Sequence, residues 1–214
     1  MDCCSYRQFV WETLLDVYRE QDSLIPHRNP PRPGPQSPRA TERSIVGRFL
    51  VHGHARIDKH FPERSALDFE YERFGPLHWA KTINGCKISP DLIAHRRGDP
   101  QGNYLVVEIK RSGHRRRRTV GLGPAEEDYR KVHVLTHCLE HYPNEPFAGD
   151  PLSSYRLGVC VELDTEGADL WWVKRSKAHA CPAGCQGWQA GQPARAHRER
   201  WAPGAPLPRC PLPH

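Results

Sequence analysis

Ile88-Ser89-Pro90-Asp91-Leu92-Ile93-Ala94-His95 and Asn103-Tyr104-Leu105-Val106-Val107-Glu108-Ile109-Lys110-Arg111 are two short runs of β-forming residues on either side of Arg96-Arg97-Gly98-Asp99-Pro100-Gln101-Gly102. The Gly and Pro of the middle segment break any regular element, so the stretch predicts a β-hairpin. Asp91 heads the first strand. In the second, Leu105, Val107 and Ile109 share one face, while Val106, Glu108 and Lys110 share the other. Both faces carry apolar residues, as a central strand buried on both sides would. A carboxylate and an ammonium on such a strand are costly to desolvate unless something compensates them. A divalent cation would do so. Two carboxylates converging from adjacent strands offer hard oxygen ligands to Mg²⁺, which keeps several waters for a phosphate to displace. A lysine beside them can orient a metal-bound water or help deprotonate it.

Working outward, the 214 residues suffice for one domain with a sizeable core, or one domain with tails. Tails are expected, because hydrophobic content is only 37% and the 21 prolines are well above the average of about 5%. The net charge is +6, and arginine supplies 24 of the 31 basic residues. Arginine grips phosphate with a planar fork, so the balance permits nucleic-acid binding; a GC-rich genome would give the same excess. No 18-residue apolar run and no signal peptide are evident, so the expectation is a soluble, cytoplasmic protein with no membrane partner and with its eight cysteines reduced.

Residues 1–24 hold an amphipathic helix from about Ser5 to Glu20. Ser5 and Gln8 have capping-box spacing, and Tyr6, Phe9, Val10, Thr13, Leu14, Val17 and Tyr18 form a stripe. That stripe packs either on the domain or on a protein partner, a second copy included. Six prolines between residues 25 and 39 make 25–40 a semi-rigid linker. Thr41 caps a second helix whose apolar side runs from Ile45 to Phe61, and Pro62 stops it. Glu42 in its first turn suits the helix dipole. Leu67 to Arg73 alternates acidic with apolar residues as a strand, with Asp68 and Glu70 on one face, and Asn84-Gly85 signals a type I′ turn. The loop after Lys110 carries Arg111 and then Arg115, Arg116, Arg117 and Arg118, either a solvated run or a phosphate-contacting one. Pro124 starts a third helix, with Glu126, Glu127 and Asp128 in its first turn and a buried stripe of Val132, Leu135, Leu139 and Tyr142; Lys131 and His133 read as surface residues. Two strands follow, Tyr155 to Leu163 and Asp169 to Lys174. Residues 176–214 lack apolar periodicity and read as a disordered tail, in which Cys181, Cys185, His179 and His197 make only a weak zinc pattern.

Pro90-Asp91 and Glu108-Ile109-Lys110, with sixteen residues between the two carboxylates, resemble the PD-(D/E)xK, or restriction-endonuclease-like, nuclease superfamily. Glu42-Arg43-Ser44-Ile45-Val46 and Leu67 to Arg73 further resemble a group of small bacterial members, although Glu72 stands where that group has Asn. The resemblance implies an α/β fold over 41–175, with a small central mixed sheet flanked by helices in the order αβββαββ. It also implies a Mg²⁺ site, open to Mn²⁺, built from Asp91, Glu108 and the main-chain carbonyl of Ile109. Lys110 would position the attacking water. The first core helix of that superfamily often contributes an acidic ligand, so Glu42 is either a metal ligand or a dipole partner, and Asp68 and Glu70 are either accessory ligands or a solvated face. A helix like the third packs across the sheet there, with an Asp and a Lys near its start that Asp128 and Lys131 match in type.

The expected activity is Mg²⁺-dependent hydrolysis of phosphodiester bonds, in DNA by default, by an endonuclease in preference to an exonuclease. The competing expectation is a nucleic-acid-binding or assembly module that keeps the fold without chemistry. A binder has no use for a costly buried charge cluster, which weighs against it.

Overall fold

The computed structural model describes residues 3–20, 41–69, 73–74, 79–80, 82–83, 86–87, 89–99, 102–111, 131–132, 135–136, 155–164, 166–174 and 197–206. These form a mixed α/β fold around one six-stranded sheet. Helices α1 (Cys3–Glu20), α2 (Glu42–His54) and the single turn α3 (Ile57–His60) precede strand β1 (Ala66–Phe69). Two short ribbons follow, β2 (Arg73–Phe74) with β3 (Trp79–Ala80) and β4 (Thr82–Ile83) with β5 (Cys86–Lys87). Then come β6 (Leu92–His95), β7 (Asn103–Arg111), β8 (Leu157–Asp164), β9 (Gly167–Lys174) and β10 (His197–Trp201). The sheet order is β1-β6-β7-β8-β9-β10, with every neighbouring pair antiparallel except β7 and β8.

The expected hairpin is β6 and β7, with Leu92 opposite Val107 and Ala94 opposite Leu105. Its loop is closed by main-chain bonds from Arg96 to Gly102 at 2.8 Å and from Gly102 to Asp99 at 2.9 Å. Gly98 takes φ +76° in this loop, a conformation that glycine adopts without the Cβ penalty of other residues. β7 is central and buried from Asn103 to Ile109. Its odd-numbered apolar residues Leu105, Val107 and Ile109 join the main core beneath α1 and α2, whereas Val106 joins a second core with Ile93, Val132, Leu135, Tyr155 and Val173. The predicted alternation of faces therefore holds. A parallel neighbour requires a crossover, and the helical residues Lys131, Val132, Leu135 and Thr136 lie on this second face between β7 and β8.

Several boundaries differ from the sequence expectation, each for a local reason. α1 begins at Cys3, so Ser5 lies inside the helix, where its hydroxyl donates to the His60 carbonyl at 3.1 Å. The apolar stripe of α1 is buried in the chain's own core, as are Trp11 and Arg7. α2 is capped by Thr41, whose hydroxyl accepts from the Ser44 amide at 3.2 Å, but it ends at His54. Arg56 leaves helical geometry, with φ −120°, where it pairs with Glu12 and Asp16 of α1, and the chain re-enters a helical turn as α3. Of the strand expected over Leu67 to Arg73, Leu67 to Phe69 lie in β1, residues 70–72 lie outside the described residues, and Arg73 belongs to a separate ribbon. Ile83 pairs with Cys86 across residues 84–85, which lie outside the described residues.

The largest difference is at the C-terminus. Within 176–214, which the composition predicts to be disordered, β10 forms an edge strand on β9. Trp201 is 2% exposed and stacks its edge on Tyr18, with ring centroids 5.2 Å apart, beside Trp11. Arg200 bridges the buried carboxylates of Asp164 and Asp169, at 2.9 and 3.0 Å. Glu199 accepts from the Trp172 indole at 3.0 Å and pairs with Arg7. Elements from both ends of the chain thus complete the core set by 41–175. Cys4 is disulfide-bonded, where reduced thiols were expected, and Cys160 is buried in the core. No helix among the described residues is long and apolar enough to cross a membrane.

Candidate active site

Asp91 stands one residue before the first β6 pair, so the strand register sets it against Glu108 of β7. Two hydrogen bonds lock the pair. The Ile109 amide donates to Asp91 Oδ2 at 2.7 Å, and the Asp91 amide donates to Glu108 Oε1 at 3.3 Å. Pro90, buried just ahead of Asp91, restricts the chain at this entry. Glu108 has no solvent exposure. Burial pushes the Asp91 carboxyl above its ordinary pKa, the bond from Ile109 and the charges of Lys110 and Lys131 oppose that, and Glu42 adds to it.

Two ammonium groups flank the carboxylates. Lys110 Nζ donates to Glu42 Oε1 at 2.8 Å, linking the end of β7 to the first turn of α2. Glu42 therefore occupies the dipole position and also reaches the site, through Lys110. Lys131 Nζ lies 2.8 Å from Glu108 Oε2, an ion pair that does not align as a hydrogen bond, and it donates to the Ser89 carbonyl at 3.4 Å. Its side chain is 18% exposed, so it is not the surface residue that the sequence suggests. The sequence signal was its place directly before Val132, the first buried residue of the helix stripe. Gly158 lets that helix approach β8: a Cβ there would lie 2.4 Å from Val132 Cγ1 and 2.6 Å from Thr136 Oγ1.

Other expected site residues sit elsewhere. Asp68 accepts from His95 Nε2 at 2.7 Å and from Arg97 Nε at 3.1 Å. Burial alone would raise its pKa, but these bonds outweigh that and hold it low, as a structural carboxylate. Arg111 ends β7, half-buried, on the face that alternates away from Lys110. Glu70, Glu72, Asp128, Arg115, Arg116, Arg117, Arg118, Cys181 and Cys185 lie outside the described residues.

Among the described residues no three His, Cys, Asp or Glu side chains already converge as a cage for a metal. A Mg²⁺ ion, however, binds through one or two carboxylates and keeps its waters, so it needs no such cage. Asp91 and Glu108 offer hard oxygens on a hydrogen-bonded frame, set side by side by the strand register. The donor set fits that ion. Comparison with known protein families, with curated proteins and with solved structures finds no match to this chain.

Proposed function

We propose that the protein is a Mg²⁺-dependent nuclease that hydrolyses phosphodiester bonds, DNA by default, on a PD-(D/E)xK core. The observation that carries this reading is the reciprocal latch between Asp91 and the Glu108-Ile109 segment, with Lys110 two residues beyond Glu108. Leaving aside α3 and the inserted ribbons β2–β5, the order α2, β1, β6, β7, helical segment, β8, β9 matches the αβββαββ order expected of that core and supports the reading.

In this reading Asp91 and Glu108 hold the ion, with the Ile109 carbonyl beside them. Bound Mg²⁺ supplies Lewis-acid polarisation of a phosphoryl oxygen and a lowered pKa for water. Lys110, kept in place by Glu42, orients the attacking water and offsets negative charge as it develops on the phosphate. The buried frame keeps the two carboxylates from shifting during the reaction, so no reorganisation is needed at that moment. Arg115 to Arg118 follow β7 in the chain and supply contacts to the backbone phosphates, which give affinity without sequence information.

The test is cleavage of labelled single- and double-stranded DNA and RNA with Mg²⁺, Mn²⁺ or EDTA. Cleavage with either cation, lost in EDTA and in Asp91→Asn, is the expected result. Binding without cleavage under every condition would assign the fold to a non-catalytic nucleic-acid module instead.

A further inference from the structure

We infer that Lys131 is a built-in second cation, and that its ammonium restricts the site to one divalent ion. The inference rests on the metal-dependent reading of Asp91 and Glu108 and concerns how many ions they take. Three carboxylates, Glu42, Asp91 and Glu108, meet two ammonium groups in this site. Each lysine is assigned. Lys110 sits on Glu42, and Lys131 sits on Glu108 Oε2.

Glu108 has two oxygens, and they have different neighbours. Oε1 accepts from the Asp91 amide and faces the Asp91 side, where an ion shared by both carboxylates would lie. Oε2 faces Lys131. A two-ion site needs a second ion about 3.5–4 Å from the first, bridged by shared carboxylate oxygens. On Glu108 that second position adjoins the oxygen beside which the ammonium stands, and like charges in a site of low polarity repel strongly. The ammonium is also fixed. Its helix is seated against Gly158 without a gap, and its second bond, to the Ser89 carbonyl, ties it to the loop that carries Asp91.

Lys131 is accordingly a positioning residue. It balances Glu108 from the side opposite the shared ion and leaves Oε1 for that ion.

Counting bound Mn²⁺ by electron paramagnetic resonance and by titration calorimetry, without nucleic acid, tests this directly. The wild type is expected to bind one ion per chain. Lys131→Met keeps the length of the side chain and removes the charge, so it should bind two. Lys131→Met combined with Glu108→Gln should lose the second ion, and Lys131→Arg, which keeps the charge, should stay at one. Two ions on the wild type, or one on a folded Lys131→Met, would overturn the inference and leave the metal site standing. No ion on the wild type would overturn both. If Lys131→Met fails to fold, by circular dichroism, Lys131→Gln, which also removes the charge but keeps a polar end, takes its place: two ions on it would uphold the inference and one would reject it.

Discussion

The amide of Ile109 donates to Asp91 Oδ2 at 2.7 Å while the Asp91 carboxyl is held above its ordinary pKa by burial. The bond needs only an acceptor, and an asparagine oxygen in the same place would provide one. The ionised form of Asp91 is therefore a net cost to the metal-free fold. Its folded pKa exceeds the unfolded value, so this cost is absent below the unfolded pKa, grows as pH rises through the folded one, and is full above it. Asp91→Asn is expected to raise the melting temperature at pH 7 in EDTA, with the gain shrinking as pH falls toward the ordinary carboxylate range. The same variant should lose the stabilisation that Mg²⁺ gives the wild type by mass action. Thermal melts with and without Mg²⁺ at several pH values check both, and a pH-independent difference would refute the assignment.

Lys110 donates to Glu42 and not to Asp91 or Glu108, among the bonds that its ammonium makes to described residues. Removing it should leave the carboxylate frame in place. Lys110→Ala is expected to bind Mn²⁺ as the wild type does and to cleave at least about tenfold more slowly. Glu42→Gln should act on the same step through Lys110, with a smaller loss. Single-turnover rates with saturating metal separate these cases, and equal rates for all three proteins would make Lys110 a counter-ion only.

Legibility in the sequence followed the physics of each element. The β6–β7 hairpin and its charged face were readable because alternation and turn residues are local properties, and Asp91 and Glu108 meet through the register that the hairpin sets. Lys131 was readable only as a lysine beside the buried stripe, not as a group that reaches Glu108. Whether a lysine beside a buried stripe turns outward or reaches over the sheet depends on how closely the helix approaches, which Gly158 decides from a strand about thirty residues later. β10 was missed for a similar reason. His197-Arg198-Glu199-Arg200-Trp201 is mostly charged, and its place in the sheet rests on partners far along the chain: Arg7 and Trp11 near the start, Asp164 and Asp169 on β8 and β9. α1 was legible as an amphipathic helix, but an amphipathic pattern does not name what covers it.

Gly158 offers a way to move Lys131 without touching its charge. A Cβ added there would enter the space of Val132 and Thr136, at 2.4 and 2.6 Å, and neither the strand nor the helix can yield without shifting. Gly158→Ala is expected to cost about 1–3 kcal/mol, the range for overpacking a close-packed contact. It should also lift the helix and lengthen the contact between Lys131 and Glu108. Urea unfolding gives the first quantity, and the Mn²⁺ count gives an independent sign of the second, moving from one toward two. Unchanged stability would mean that the helix stands farther from β8 than these distances indicate.

Trp201 tests whether the C-terminal strand is part of the domain. Its indole is 2% exposed, packed between Trp11 and Tyr18, and the Tyr18 hydroxyl donates to the Asp164 carbonyl at 2.8 Å, with the Gly167 carbonyl alongside. Trp201→Ala would open a cavity where α1, β9 and β10 meet, at a cost of about 3–5 kcal/mol. That is a large share of the 5–15 kcal/mol typical of a domain. Truncation after residue 196 would remove Trp201 together with Glu199 and Arg200, leaving Arg7, Asp164 and Asp169 as buried charges deprived of these partners. Breaking such buried pairs from one side is strongly destabilising. The truncated chain is therefore expected to be unfolded or insoluble, and Trp201→Ala to unfold at markedly lower urea concentration with Asp91, Glu108 and Lys110 unchanged. A truncated chain as stable as the full one would show that the strand is dispensable, as its composition alone suggests.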